Sequence, residues 1–350
     1  MVILSVVIAT YNSEKTLNKV LNALRNQTIS QEEMEILTVD GMSTDSTRQI
    51  AKKYGCKVID NPKVEQGNAK ILGLQNAMGQ YVLFVDSDEV LENKNALKNS
   101  IEAFRENEDC HWLVCSGYKK PNNYAMLSGY ISDFGDPFSF FIYKYPKDYR
   151  FYRKVLTDNY KILKETEKYI AFDCDYKKKF PLIEGACGGS IMDMSYFEEH
   201  YPECKTNVAT LYHSFYLMLE RGETHFLYIK KDPLAHYSSD TLSGYFNKLK
   251  WRIRNNIHFA DKASSVYDGR SKFDQRTRTK KYLFVPYTLS LVFPVADGIM
   301  YAMSRKNPIY LLHFVFSYYV LINVIMEYLK KILHIKPKFV AYGTRKEING

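Results

Sequence analysis

The first 90 residues of this chain alternate short β-branched runs with helically spaced apolar residues, a pattern that leaves few folds open. Residues 2–9 (VILSVVIA) read as a first strand, and Leu17, Val20, Leu21 and Leu24 follow at helical spacing. Residues 35–39 predict a second strand, 47–54 a helix, 57–59 a third strand, 69–77 a helix and 81–85 a fourth strand. Strands joined through helices run parallel and have both faces covered. Residues 1–117 are therefore expected to form a doubly wound, Rossmann-like α/β unit whose ligands bind beyond the carboxyl ends of the strands. At 350 residues, the chain has room for that unit, a second half and an appendage.

The excess of 48 Lys+Arg over 39 Asp+Glu gives a net charge of +9, which favours an anionic partner: nucleic acid, a phosphate-bearing substrate or an anionic lipid. The basic residues are scattered and no RNA- or DNA-reading motif occurs, which argues against nucleic acid. With 29 Tyr and 20 Phe, the aromatic content suits a membrane interface, where one end of a ring is apolar and the other wet. The six cysteines (56, 110, 115, 174, 187 and 204) contain no C-x-x-C pair and are expected to be reduced and partly buried, as in a cytosolic protein. Residues 1–9 lack a basic n-region and run straight into the α/β pattern, so they read as a strand rather than a signal peptide.

Beyond the first unit, residues 118–180 lose the alternation and are expected to form an aromatic-rich insert near the acceptor side. Residues 181–256 regain it, with IEGACGGSIMD, a helix near 209–221 stopped by Gly222 and a strand at 225–229, and are expected to form the acceptor half. Residues 257–335 are expected to be membrane-associated helices, and 336–350 a basic tail. Residues 282–296 and 309–326 carry no charge; the second run meets the lower length limit for a membrane span, while the first contains Pro286 and Pro294. Basic residues flank both runs, which places the protein at the cytoplasmic face of the cell membrane, with a hairpin or re-entrant pair embedded mainly in one leaflet.

Asp86-Ser87-Asp88 directly follows the fourth strand. Strand side chains alternate, so the two carboxylates point to one side, where paired oxygens suit Mn2+ or Mg2+ bound together with a diphosphate. Two solvated carboxylates capping a turn would look the same in isolation. Three more polar segments stand at strand exits. Thr10-Tyr11-Asn12-Ser13-Glu14 opens a helix and reads locally as an N-cap with an acidic first turn. Asp40-Gly41-Met42-Ser43-Thr44-Asp45 combines a close-approach glycine with a helix N-terminus that favours anions. Gln66-Gly67-Asn68-Ala69-Lys70 places a cation near the same edge.

In this order and at these spacings, V-V-I-A-T-Y-N-S-E, V-D-G-x-S-T-D-S-T, Q-G-N-A-K and V-D-S-D resemble the family 2 glycosyltransferases with the GT-A fold, over roughly residues 1–255. The resemblance implies an inverting transfer from a nucleotide-sugar donor, UDP- or GDP-linked. By position, Thr10, Tyr11 and Glu14 would line the nucleoside site, Asp40 would accept a hydrogen bond from the base, and Asp45 and Lys70 would border base and ribose. Asp86 would contact ribose or sugar, and Asp88 the metal. Gly188-Gly189-Ser190 looks like the glycine turn against which donor sugar and acceptor approach. His236-Tyr237 resembles the segment whose His completes the metal shell or touches the diphosphate, and Lys248 and Arg252, four apart on a helix, would hold phosphates.

One departure stands out. The acidic pair that usually acts as general base is replaced by Asn207-Val208-Ala209-Thr210-Leu211-Tyr212-His213. His213, Glu184 and Asp193 are the substitute candidates. Alternatively no base is needed, because a phosphate monoester has a second pKa near ~6 and is already anionic at neutral pH. A lipid acceptor, either a polyprenyl phosphate or a lipid-linked saccharide, fits that option and the apolar C-terminal region. The competing expectation is a catalytically degenerate nucleotide-sugar-binding adaptor at the membrane.

Overall fold

The computed structural model describes residues 1–259 and 266–340. Twelve strands occur among them: β1 Leu4–Thr10, β2 Met34–Asp40, β3 Lys57–Asp60, β4 Tyr81–Phe84, β5 Glu89–Leu91, β6 Trp112–Val114, β7 Tyr118–Lys119, β8 Lys161–Glu165, β9 Tyr169–Asp173, β10 Ile191–Asp193, β11 His225–Ile229 and β12 Leu234–His236. Nine form one sheet in the order β3-β2-β1-β4-β10-β6-β11-β9-β8, and β5-β12-β7 form a small second sheet.

The four strands read from the alternation pair in parallel, as expected. Past β4 the sheet is mixed: β10 runs antiparallel to both β4 and β6, β11 lies parallel to β6, and β9 and β8 close the edge antiparallel. The parallel pairing expected from the alternation thus describes one half of the sheet. β1 reads LSVVIAT with all but one residue buried, the continuous apolar run of a strand covered on both faces. The helix Glu14–Arg25 buries Leu17, Val20, Leu21 and Leu24 along one stripe, and each such side chain contributes about 1.5–3 kcal/mol.

The chain divides into two compact units, residues 1–119 with 149–236 and residues 120–148 with 237–350. This redraws the boundaries expected from composition. The stretch 118–180 is not one insert: residues 149–180 build the helix Tyr149–Asn159 and the strands β8 and β9, and β9 pairs with β11 over five residues. Residues 120–148 instead supply two helices, Met126–Phe134 and Pro137–Tyr143, whose Tyr130, Phe134 and Phe140 belong to the core of the second unit with Tyr245, Tyr310 and Phe316. The expected limit near Asn256 falls inside the helix Leu242–His258 of that unit. Much of the basic tail, residues 341–350, lies outside the described residues.

Within the second unit, Asp133 is fully buried and accepts from Arg305 Nε (2.9 Å), the Tyr310 hydroxyl (2.9 Å) and the Asp148 amide (3.1 Å), so a buried charge is fully partnered. The segment Pro308–Ile332 is, among the described residues, the one helix long and apolar enough to cross a membrane, and about a third of it is buried. Its inward face carries polar groups. His258 Nε2 lies 3.1 Å from Glu327 Oε2, and Lys330 donates to Glu327 Oε1 at 2.7 Å. The preceding helices, Arg276–Leu289 and Val292–Arg305, meet at 90°. Leu289, Val292, Phe293, Met303, Ile322 and Ile332 are all at least half exposed.

In the first unit, Asp232 sits in the turn between β11 and β12, 3% exposed, and its Oδ1 has no partner among the described residues. Burial pushes its carboxyl up to about 7. The folded protein therefore keeps a proton that the unfolded chain releases near ~3.9. Stability is greatest below that value and falls as pH rises through about 7. Asp232→Asn should raise the melting temperature by a few degrees near pH 8 and change it little near pH 4, as measured by thermal unfolding across pH.

Candidate active site at the carboxyl edge of the sheet

The parallel register sets Thr10, Asp40 and Asp60 abreast at the ends of β1, β2 and β3. Two exit loops interlock there. The Asn12 amide donates to Ser43 Oγ (2.8 Å), the Ser13 amide to Thr47 Oγ1 (2.7 Å), the Thr44 amide to Asn12 Oδ1 (2.9 Å), and the Ser46 amide to Glu14 Oε2 (3.0 Å). Asp45 receives the Thr47 amide and hydroxyl and the Glu14 amide. Burial would raise its pKa, but these hydrogen bonds outweigh burial and hold the carboxyl below its ordinary range. Gly41 is where the loops pass closest: a Cβ would lie 3.1 Å from Val64 and 3.2 Å from Tyr11.

Asp40 is only 1% exposed, and its carboxylate is already supplied with donors. Thr10 Oγ1 (3.0 Å) and Ser43 Oγ (2.6 Å) donate to Oδ1; the Ser43 amide (2.9 Å) and Arg48 (3.1 Å) donate to Oδ2. Arg48 also reaches Asp60 at 2.8 Å. A base contact at Asp40 would therefore have to displace one of these donors. Arg48, which the motifs did not single out, is the cation at this end of the edge.

Lys70 departs furthest from expectation. Expected to border base and ribose, it is instead 1% exposed on the helix Gln66–Asn76, with Nζ 3.0 Å from Asp86 Oδ1 and donating to the Ala186 carbonyl, 5.8 Å from the Tyr212 ring centroid. Burial would strip its proton, but the nearby Asp86, Cys187 and Tyr212 reverse that and raise its pKa well above the usual lysine range. Gln66 adds a second donor to Asp86 Oδ1 at 3.0 Å, and Ser13 and Ser87 hydroxyls meet at 2.9 Å. Asp86 is thus aimed from the helix side.

Asp88 lies at the same exit, its Oδ2 3.6 Å from His236 Nε2. The small second sheet brings them together: β12 pairs with β5 so that His236 stands opposite Glu89. Glu89, absent from the sequence reading, is 2% exposed and accepts from the Asp86 amide (3.0 Å) and the Tyr118 hydroxyl (2.9 Å). Burial, then the charges of Asp86 and Asp88, push its pKa up against the opposing pull of His236.

The glycine turn closes the site. Gly188 and Gly189 have φ of +61° and +67°, a conformation side-chain-bearing residues rarely adopt. The Gly189 amide donates to the Phe84 carbonyl (3.2 Å), and the Phe84 amide to the Ser190 carbonyl (3.3 Å), so the turn lies along the last residue of β4. A Cβ on Gly185 would collide with the Leu211 carbonyl, which packs this loop against the helix Val208–Arg221. The half-buried Cys187 thiol belongs to this loop, and none of the six cysteines forms a disulfide.

The candidate bases separate. Asp193 pairs with Tyr81, at the opposite end of β4 from Asp86, where it caps the helix Met194–His200 and meets His111 at 3.2 Å. The sheet's length removes it from the site. His213 is buried with Nδ1 turned back to the Ala209 carbonyl at 2.8 Å. Glu184, half-buried, stands in the loop two residues before Ala186. Asn207, first residue of the stretch 207–213 that lacks the acidic pair, caps its helix by accepting from the Ala209 and Thr210 amides. Lys248 and Arg252 lie on the helix Leu242–His258 of the second unit, with Arg252 3.8 Å from Asp136.

Interlocked exit loops, a carboxylate turn and a glycine turn at the carboxyl edge of a half-parallel sheet define a nucleotide-binding α/β domain of the GT-A type. The Glycosyl transferase family 2 domain matches residues 5–200, more than half of the chain, which belongs to the family 2 glycosyltransferases. The chain is similar to the poly(ribitol-phosphate) beta-N-acetylglucosaminyltransferase TarS of Staphylococcus aureus, 42% identical over 104 residues, covering 27% of this chain and 18% of that protein. It is also similar to the dolichyl N-acetyl-alpha-D-glucosaminyl phosphate 3-beta-D-2,3-diacetamido-2,3-dideoxy-beta-D-glucuronosyltransferase of Methanococcus voltae, 34% identical over 109 residues, 29% of this chain and 34% of that protein. The matches thus span well under half of either relative. Among solved structures, the mannosyltransferase PcManGT from Pyrobaculum calidifontis in complex with GDP-Man and Mn2+ superposes with a TM-score of 0.50 at 12% identity, over 92% of this chain and 86% of that one, a likeness of fold.

Proposed function

We propose that this protein transfers a sugar, with inversion, from a UDP- or GDP-linked donor to a phosphate-bearing membrane lipid at the cytoplasmic face, using Mn2+ or Mg2+. The observation that carries the reading is the Asp88–His236 pair, 3.6 Å apart beside Asp86 at the mouth of β4. A carboxylate oxygen and an imidazole nitrogen at that separation fit neighbouring positions around one small divalent ion, and Mg2+ in particular is usually held by one or two protein carboxylates with substrate phosphates completing the shell. Among the described residues no group of three or more His, Cys, Asp or Glu forms a closed cage. When bound, the metal would neutralise charge on the departing nucleoside diphosphate.

The chain's own residues do the rest. Asp86, steered by Lys70 and Gln66, would receive ribose or sugar hydroxyls. Thr10, Tyr11, Glu14 and Asp45 would form the nucleoside wall, with Asp40 setting its shape and Arg48 beside it. Gly188 and Gly189 would let the sugar approach bare backbone. An acceptor that is already an anion needs no proton taken from it, which suits a chain whose residues 207–213 carry no acidic pair. The relatives are named for acceptors that carry phosphate, poly(ribitol-phosphate) and a dolichyl-linked sugar phosphate, which supports a phosphate-bearing acceptor.

Membrane attachment is proposed through the second unit. The helix Pro308–Ile332 buries Glu327 on one side and exposes Ile322 and Ile332 on the other, the asymmetry of a helix lying in an interface rather than crossing it. Its last turn carries Lys330 and Lys331, which suit anionic headgroups.

Three outcomes follow. Asp88→Ala should weaken Mn2+-dependent binding of nucleotide sugar at least tenfold in calorimetric titration; parent-like affinity and turnover would remove the metal assignment. His213→Ala, Glu184→Gln and Asp193→Asn should each keep most of kcat with a lipid phosphate, whereas a loss of about 10²–10⁴ in one of them would identify a base and a hydroxyl acceptor. The triple variant Leu289→Ser, Phe293→Ser, Met303→Ser should float with anionic vesicles several-fold less than the parent, and equal flotation would dismiss this surface.

A further inference from the structure

Glu89 is a buried carboxyl group, 2% exposed, three residues from Asp86 and next to Asp88. Both its oxygens are committed. Oε2 accepts the Asp86 amide at 3.0 Å, which closes the Asp86–Glu89 turn from inside, and Oε1 accepts the Tyr118 hydroxyl at 2.9 Å. That hydroxyl lies directly beneath the glycine turn, because a Cβ on Gly188 would come 2.6 Å from it. The Tyr118 ring stands 5.2 Å from the His236 ring, and Glu89 is the register partner of His236 across β5 and β12. One carboxylate therefore touches the backbone that aims Asp86 and Asp88, the strand pair that presents His236, and the brace under Gly188.

We propose that Glu89 is the positioning residue of the metal and diphosphate site: its two oxygens lock the Asp86–Asp88 turn to the glycine turn, and so hold Asp88 opposite His236. The inference rests on the donor reading above. Glu89 itself needs no contact with metal or donor. Its part is that of an outer partner whose loss typically reduces metal affinity about 10–100-fold.

Two conservative variants separate length from charge. Glu89→Gln keeps the reach, with an amide oxygen for the Asp86 amide and an amide nitrogen to which the Tyr118 hydroxyl turns as acceptor, but removes the charge. Glu89→Asp keeps the charge and is one carbon too short to hold both partners. Mn2+ affinity would be measured by electron paramagnetic resonance with UDP or GDP present, alongside the melting temperature of the metal-free protein. The expected result is a Mn2+ Kd within about threefold of the parent for Gln and about 10–100-fold weaker for Asp, with melting temperatures close to the parent. Gln weakened and Asp retained would make Glu89 a direct ligand or charge and overturn the proposal, as would parent-like affinity in both. Should Glu89→Asp not fold, Tyr118→Phe decides: a raised KM for nucleotide sugar with unchanged affinity for free nucleotide supports the brace, and an unchanged KM overturns it. A parent protein that binds neither nucleotide with Mn2+ would overturn the donor reading and this inference together.

Discussion

A lysine ammonium sealed under the carboxyl edge of the sheet governs the geometry of the site. Lys70 gives up nearly all its hydration, a loss that would favour the neutral amine unless opposite charge and hydrogen bonds replaced the water. Asp86 supplies the charge and the Ala186 carbonyl a hydrogen bond, with the Tyr212 ring alongside. These partners come from three separate stretches of chain: the exit of β4, the glycine loop and the helix Val208–Arg221. Holding the ammonium thus draws together the pieces of the site, and Asp86 is oriented before any ligand arrives. Removing one partner of such a pair is far more damaging than its net contribution implies, because the other is left buried and uncompensated.

The parallel half of the fold was legible because its signal is local. Buried strands such as β1 and striped helices such as Glu14–Arg25 show their periods within a dozen residues. The second sheet was not legible, since β5, β7 and β12 are two or three residues long and acquire strand geometry only by pairing across distant parts of the chain. The split of residues 118–180 escaped for a related reason. Aromatic density there was read as one insert, whereas helix Met126–Phe134 joins one core and strand β9 joins the other.

The same distinction sorts the site. Asp86 and Asp88 were picked as a carboxylate pair after an apolar strand, but β4 ends at Phe84 and a turn rather than strand alternation places them, while His236 was picked by its motif. Glu89 was hidden in plain view beside them: burial and its bonds to the Asp86 amide and Tyr118 depend on β12 and β7 covering it. Lys70 and Asp40 were picked by position, but both are 1% exposed and held by partners from the chain itself. A residue type advertises what chemistry it can do, while whether it faces ligand or core is settled by packing that single-chain spacing does not carry. Arg48 and Cys187 show the converse, functional-looking groups at the edge with no motif to announce them.

The start of the helix Val208–Arg221 bears most directly on the chemistry. Val208 packs on Gly67 so closely that a Cβ there would lie 2.5 Å from it, which brings the helix start to the first turn of the helix Gln66–Asn76, where Gln66 reaches Asp86. Asn207 stands at this start, its Oδ1 accepting from the Ala209 and Thr210 amides, so that the side chain stabilises the helix and offers no basic lone pair. One turn on, Tyr212 faces Lys70 with its pKa pushed up by burial, which keeps the phenol protonated and equally unable to act as a base. The elements that surround Asp86 on this side thus supply a capped helix, a buried ammonium and a protonated phenol.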